Sequence, residues 1–270
     1  MFTKLLAYEI RSRFRADARS FGAFIAVIAV AAGIVAAGLP GISGSTAFLA
    51  YALCALTPVA CAIAAMADYW KTLYGQRGYF TMSLPVSGKV IFWAKNTRIM
   101  IECLLALALA VGGIIAVASA AAWSDGISLA EYTAGPRSQL AIFSPSVQVI
   151  LIMSQLIACA SMIVQVCAVM TLAAEGRFNH MGFGAVAIGL VLLYIVNQIL
   201  SGVGTFFLPF SITPDGHFST ESMWSSYRAA LETDAEPTVW GMGACIVIPI
   251  FALLLAAWAS RSIEKRTSLR

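Results

Sequence analysis

Residues 97–122 read TRIMIECLLALALAVGGIIAVASAAA, and after Glu102 no charged side chain interrupts them. About 20 apolar residues suffice for a helix to cross a ~30 Å hydrocarbon core. Similar stretches recur near 21–39, 46–66, 147–173, 181–208 and 238–259, so the sequence predicts six transmembrane helices. The cations orient them. Fifteen of the seventeen Lys and Arg residues fall on one side of this map: Lys4, Arg11, Arg13, Arg15 and Arg19 before the first span; Lys71, Arg77, Lys89, Lys95 and Arg98 between the second and third; Arg177 after the fourth; Arg261, Lys265, Arg266 and Arg270 after the sixth. Only Arg137 and Arg228 lie in the alternate loops. Short loops rich in Lys and Arg stay cytoplasmic, so both termini are expected inside. The predicted fold is an all-α integral membrane protein, a single transmembrane domain over residues 1–270.

Composition agrees. The chain is 60% hydrophobic and 11% charged, whereas a soluble domain carries roughly 25% charged residues. The net charge of +4 follows from topology and does not point to nucleic acid. Basic residues up to Arg19 and a long first apolar stretch argue against a cleaved signal peptide. All six cysteines (Cys54, Cys61, Cys103, Cys159, Cys167 and Cys245) fall inside predicted spans, with no CxxC among them, and read as small packing residues.

Residues 1–20 read as an N-terminal amphipathic interfacial helix. At about 100° per residue Lys4, Tyr8, Arg11 and Arg15 share one face, while Phe2, Leu6, Ile10 and Phe14 drift along another. Such a helix suits the headgroup layer, and Glu9 can pair with Arg13 one turn on. The loops at about 124–146 and 209–237 are long enough for short helices over the outer mouth. Trp123, Trp240 and Trp258 fall near span ends, as in an aromatic belt.

Polar residues within the spans are sparse. Arg98 and Glu102 form an expected local pair near the cytoplasmic end of the third span, where charges can pair or snorkel. On the fourth span Ser154, Ser161 and Gln165 share a face with Ala158 and Ala168. Such a stripe packs against another helix or lines a pathway. Asn197 and Gln198, in mid-span on the fifth, either join helices or meet cargo. Pro58 and Pro249 are expected to kink their helices.

Catalytic chemistry is not expected. The only histidines, His180 and His217, lie in loops, out of reach of any buried nucleophile. Gly41-Ile-Ser-Gly44 reads as a turn. No GxxxxGK[ST] phosphate loop occurs, so ATP-driven work would need a separate ATPase chain. No cofactor or metal site is expected on this chain.

The segment between spans two and three, residues 68–95, is aromatic, basic and punctuated by Gly75, Gly78 and Pro85. Tyr69, Trp70, Tyr74, Tyr79 and Phe80 would suit either docking into a partner's groove or headgroup anchoring. Within it LYGQRGYFTMSLPVSGKVIFWAK, residues 73–95, resembles the signature of small six-span permease subunits of ABC-type-2 exporters in Gram-positive bacteria. Gly75, Gly78, Tyr79, Leu84, Pro85, Val86, Ser87 and Lys95 carry the match. Where that family often has acidic residues this chain has Gln76 and Arg77, so a partner of compensating charge would be needed.

The resemblance implies a cytoplasmic coupling helix in this loop, built on Tyr74, Gly75, Gly78, Tyr79, Phe80, Leu84, Pro85, Val86 and Ser87. It implies a separate ABC ATPase subunit holding ATP and Mg, and a second permease subunit, identical or sister. It also implies a bacterial plasma membrane location. The expected cargo is hydrophobic or amphipathic: an antimicrobial peptide, a lipid-like molecule or a drug. The alternatives are a stand-alone six-span carrier or channel, and a non-transporting immunity or scaffold protein.

Overall fold

The computed structural model describes residues 1–75, 78–83, 85–233 and 236–265. In chain order the elements are α1 (Phe2–Ala36), α2 (Ser43–Leu73), α3 (Gly78–Met82), α4 (Gly88–Ser124), α5 (Leu129–Tyr132), α6 (Ala134–Leu140), α7 (Pro145–Ala173), a 3-10 turn (Gly176–Met181), α8 (Phe183–Phe207), β1 (Ser211–Ile212), β2 (Phe218–Ser219), α9 (Met223–Thr233), β3 (Trp240–Gly241) and α10 (Ala244–Lys265). Among the described residues six helices (α1, α2, α4, α7, α8 and α10) are long and apolar enough to cross a membrane, and the chain is a multi-pass membrane protein.

Several boundaries differ from the hydropathy reading. Residues 2–36 form one helix, so no separate interfacial element precedes the first span. Nothing between Phe2 and Ser20 is Gly or Pro, and the segment is helix-compatible throughout. Likewise α2 runs on to Leu73 and α4 already starts at Gly88, which shortens their connection to residues 74–87. Polar residues prolong these helices beyond the apolar window. Both α2 and α10 continue through their prolines, Pro58 and Pro249.

The sixth span starts at Ala244 rather than near 238, because Trp240–Gly241 pairs in a small antiparallel sheet of order β2-β1-β3. Ser211 faces Ser219 on one side and Gly241 on the other. Just before α10 the chain passes close over the last turns of α8. A Cβ at Gly241 would collide with the Thr205 carbonyl oxygen and one at Gly243 with that of Gly204. Only glycine permits this approach.

Contacts group the chain into two compact units, Met1–Lys71 with Val90–Ser138, and Thr72–Lys89 with Gln139–Arg270. In the first, Phe24 and Ile28 of α1, Ala50 and Cys54 of α2, and Ala110 and Val117 of α4 form an apolar seam. Each pair recurs at helical spacing, so one stripe per helix turns inward. Gly113 lets the helices close: a Cβ there would lie 2.7 Å from Cys54 Sγ. Small residues at membrane-helix interfaces serve this role.

In the second unit α7, α8 and α10 all pack against one another, and α7 is the most buried of the three. Its buried run from Ile163 to Ala168 is continuous rather than one-sided, as expected of a helix with neighbours on more than one side. Gly189 of α8 meets Val169 of α7 so closely that a Cβ would lie 2.7 Å from Cγ1.

Candidate functional site

The 74–87 connection belongs to the second unit and is anchored at both ends. At the start, Thr81 Oγ1 of α3 donates to the Thr72 carbonyl at 2.9 Å. That carbonyl is in the last turn of α2, where helix acceptors lack intrahelical partners. At the far end, a Cβ on Gly88 would lie 2.7 Å from Ile263 Cγ2 and 2.9 Å from Glu264 Cγ, so the start of α4 abuts the end of α10. Between the anchors, Gly78 N–H donates to Gly75 O at 2.8 Å and opens the single turn of α3.

The expected coupling residues divide by exposure. Tyr79 is 57% exposed. Pro85 and Ser87 are exposed, Tyr74, Gly75 and Val86 half-buried, and Gly78 buried. Leu84, with Gln76 and Arg77, lies outside the described residues, as does the Phe80 side chain. Tyr69 is in α2 and fully buried, so its ring is not on offer to a partner.

The first unit contains a group of charges of which two pairs, Arg98–Glu102 and Arg13–Asp17, are local in sequence. Arg98, 1% exposed, is the hub. Its Nη1 is hydrogen-bonded to Glu102 Oε1, as the four-residue spacing predicts. Its Nη2 also reaches Asp68 Oδ2 of α2 at 3.2 Å, and its Nε lies 3.8 Å from Glu9 Oε2 of α1. Lys95 Nζ donates to Glu9 Oε1 at 2.9 Å. Arg13 Nη1 pairs with Asp68 Oδ1 at 3.3 Å, and its Nε lies 3.9 Å from Asp17.

The expected Glu9–Arg13 pair is thus replaced. Glu9 turns to α4 and Arg13 to α2, because Leu5, Glu9, Arg13 and Asp17 form the inward stripe of α1. Lys4, Tyr8, Arg11 and Arg15 form the exposed stripe. In a low-dielectric interior a charge persists only when paired, and these charges join three helices.

In the second unit the mid-helix polar junction is neutral. Asn197 Nδ2 of α8 donates to Gln165 Oε1 of α7 at 2.7 Å, and Gln165 Nε2 donates to the Ile248 carbonyl of α10 at 3.2 Å. Ser154 and Ser161 instead bond back to their own helix, to Leu151 O at 2.8 Å and Ile157 O at 2.7 Å. Gln198 is exposed. Of the five uncharged polar span residues singled out in the sequence, the fold therefore brings Gln165 and Asn197 together.

Glu175, which the sequence did not single out, is 1% exposed between α7 and the 3-10 turn. It accepts a hydrogen bond from Ser262 Oγ of α10 at 2.8 Å and pairs with Arg177 Nε at 2.8 Å.

Compared with known proteins, the chain matches no family model, no curated protein and no solved structure.

Proposed function

We propose that this chain is the transmembrane subunit of an ATP-driven exporter in a bacterial plasma membrane, with both termini and the 74–87 connection facing the cytoplasm. A second permease subunit would complete the pathway, and a separate ABC ATPase would hold ATP and Mg. The cargo would be hydrophobic or amphipathic. One observation carries the reading: within the stretch that resembles exporter permeases, Tyr79 is exposed on α3 while Thr81 and Gly88 tie the same segment to α2 and α10. A ring on a fixed base is preorganised to dock, and ordering a loop on binding would cost affinity.

The test is purification of the tagged chain from its native membrane, with identification of an accompanying subunit that has a phosphate-binding loop. Truncating an aromatic anchor costs roughly 2 kcal/mol or more at an interface. Tyr79→Ala should therefore deplete the ATPase from the complex or uncouple ATP use from export, with membrane insertion intact. If Tyr79 only anchors headgroups, the complex and transport survive Tyr79→Ala, and the exporter reading loses its coupling element.

The buried ions of the first unit favour a second reading, a stand-alone carrier, because ionisable residues within membrane helices mark ion and proton pathways. Transport by the chain reconstituted alone in vesicles would select it.

A further inference from the structure

We propose that a groove formed by α7, α8 and α10 holds one acyl chain of an anionic phospholipid, with the lipid phosphate at the guanidinium of Arg177. The inference does not depend on the exporter reading. The groove encloses about 420 Å³ and is walled by apolar side chains, among them Leu172 of α7, Ile188 and Leu192 of α8, and Leu255 of α10. Its lining on α8 extends from Ala185 to Val196. At 1.5 Å per residue that is a channel ~16 Å long, the shape of an extended hydrocarbon chain rather than of a compact solute. An apolar space of this kind does not hold water well.

One end is charged. Arg177, on the 3-10 turn joining α7 to α8, lines the same groove, and its side chain is 55% exposed. Its guanidinium is held in place. Nε pairs with Glu175 at 2.8 Å, and Cζ sits 4.6 Å from the centre of the Phe178 ring. Glu175 is fixed in turn by Ser262. The ion pair engages Nε, and a guanidinium has five N–H donors in a rigid fork that suits phosphate oxygens.

The location fits an amphiphile. At 25 residues α8 is ~37 Å long, slightly more than the hydrocarbon core, so the turn at its start lies where acyl chains give way to headgroups. A chain in the groove and a phosphate on Arg177 are therefore parts of one ligand. A zwitterionic headgroup carries its own ammonium beside the phosphate and gains less from the cation.

The experiment titrates the purified full-length chain in detergent with phosphatidylglycerol and, separately, with phosphatidylcholine, counting bound lipids by native mass spectrometry. One cation near a membrane surface favours an anionic lipid by about 1 kcal/mol, so phosphatidylglycerol should bind about fivefold more tightly. Arg177→Gln should abolish that preference, and Arg177→Lys should keep most of it. Ile188→Trp, a substitution at an exposed groove position, should fill the channel and weaken both lipids. Sodium phosphate, which lacks a chain, should displace neither.

Equal binding of the two lipids to the unaltered chain would overturn the proposal. So would a preference that survives Arg177→Gln, undiminished binding in Ile188→Trp, or displacement by inorganic phosphate. Should Arg177→Gln not fold, Ile188→Trp decides alone whether the groove is the site.

Discussion

In the unit Met1–Lys71 with Val90–Ser138, polar contact between helices is made by formal charges: Glu9, Asp68 and Glu102 around Arg98, with Lys95 and Arg13 beside them. In the unit Thr72–Lys89 with Gln139–Arg270, the corresponding mid-helix junction is an amide, an amide and a carbonyl: Asn197, Gln165 and Ile248 O. Both join three helices. They differ in how each responds to the loss of one member. A neutral hydrogen bond between membrane helices contributes little over what the separated helices find elsewhere. Buried ions contribute little as a set, because desolvation offsets attraction, yet deleting one partner strands the others. The ionic junction should therefore fail abruptly and the amide junction gradually.

The largest effect should come from Arg98→Ala, which leaves Glu9, Asp68 and Glu102 without their common partner. Breaking a buried pair costs about 3–5 kcal/mol, measurable as a loss of stability to denaturant in micelles. Arg98→Lys should recover only part, since one ammonium cannot reproduce a fork that meets carboxylates on three helices. Arg98→Met with Glu102→Leu should recover more than Arg98→Ala alone. A cost for Arg98→Ala close to zero would show that water reaches the cluster and would end the contrast between the units.

An intermediate effect should arise when the helices of either unit are pushed apart. Gly113→Ala places a methyl group 2.7 Å from Cys54 Sγ, and overpacking of this kind costs about 1–3 kcal/mol. Cys54→Ala in the same chain should restore most of it. Gly189→Ala against Val169 is the equivalent change in the second unit. Similar losses in both, by thermal unfolding, would show that apolar packing is shared and that the units differ only in their polar junctions.

The smallest effect belongs to the amides. Asn197→Leu should cost about 1 kcal/mol, since Gln165 keeps its bond to Ile248 O. Ser154→Ala, which loses only a bond within its own helix, should fall within about 0.5 kcal/mol of the unaltered chain. An Asn197→Leu loss as large as that of Arg98→Ala would mean that neutral and ionic junctions are equivalent here.

Hydropathy made the six spans legible, because every one is an apolar run of about the length a membrane needs or more. It misplaced ends wherever polar residues prolong a helix, as in α1 before Phe21 and α4 before Thr97. It also misplaced the start of α10, where the close passage of Gly241 and Gly243 over α8 depends on residues far apart in the chain. Arg98–Glu102 was readable because one turn separates them. Glu9–Lys95 was not, since the two stand 86 positions apart and no periodicity links them. Gln165 and Asn197 could be singled out as costly in lipid, but nothing local said that each was the other's partner. The buried Glu175 gave no signal, sitting at a helix end where a carboxylate is ordinarily solvated.

The unbroken α1 has a mechanical consequence. At 35 residues it is ~52 Å long, a single rod with no turn along it. Its apolar seam at Phe24 and Ile28, clamped by Cys54 and Gly113, is a natural fulcrum, and Glu9 stands ~22 Å from it along the axis. Rocking the rod about that fulcrum by about 10° would sweep Glu9 through ~4 Å, further than the bond that holds it to Lys95. Glu9 thus sits on the long arm of a lever, and breaking its ion pair would free that arm to swing.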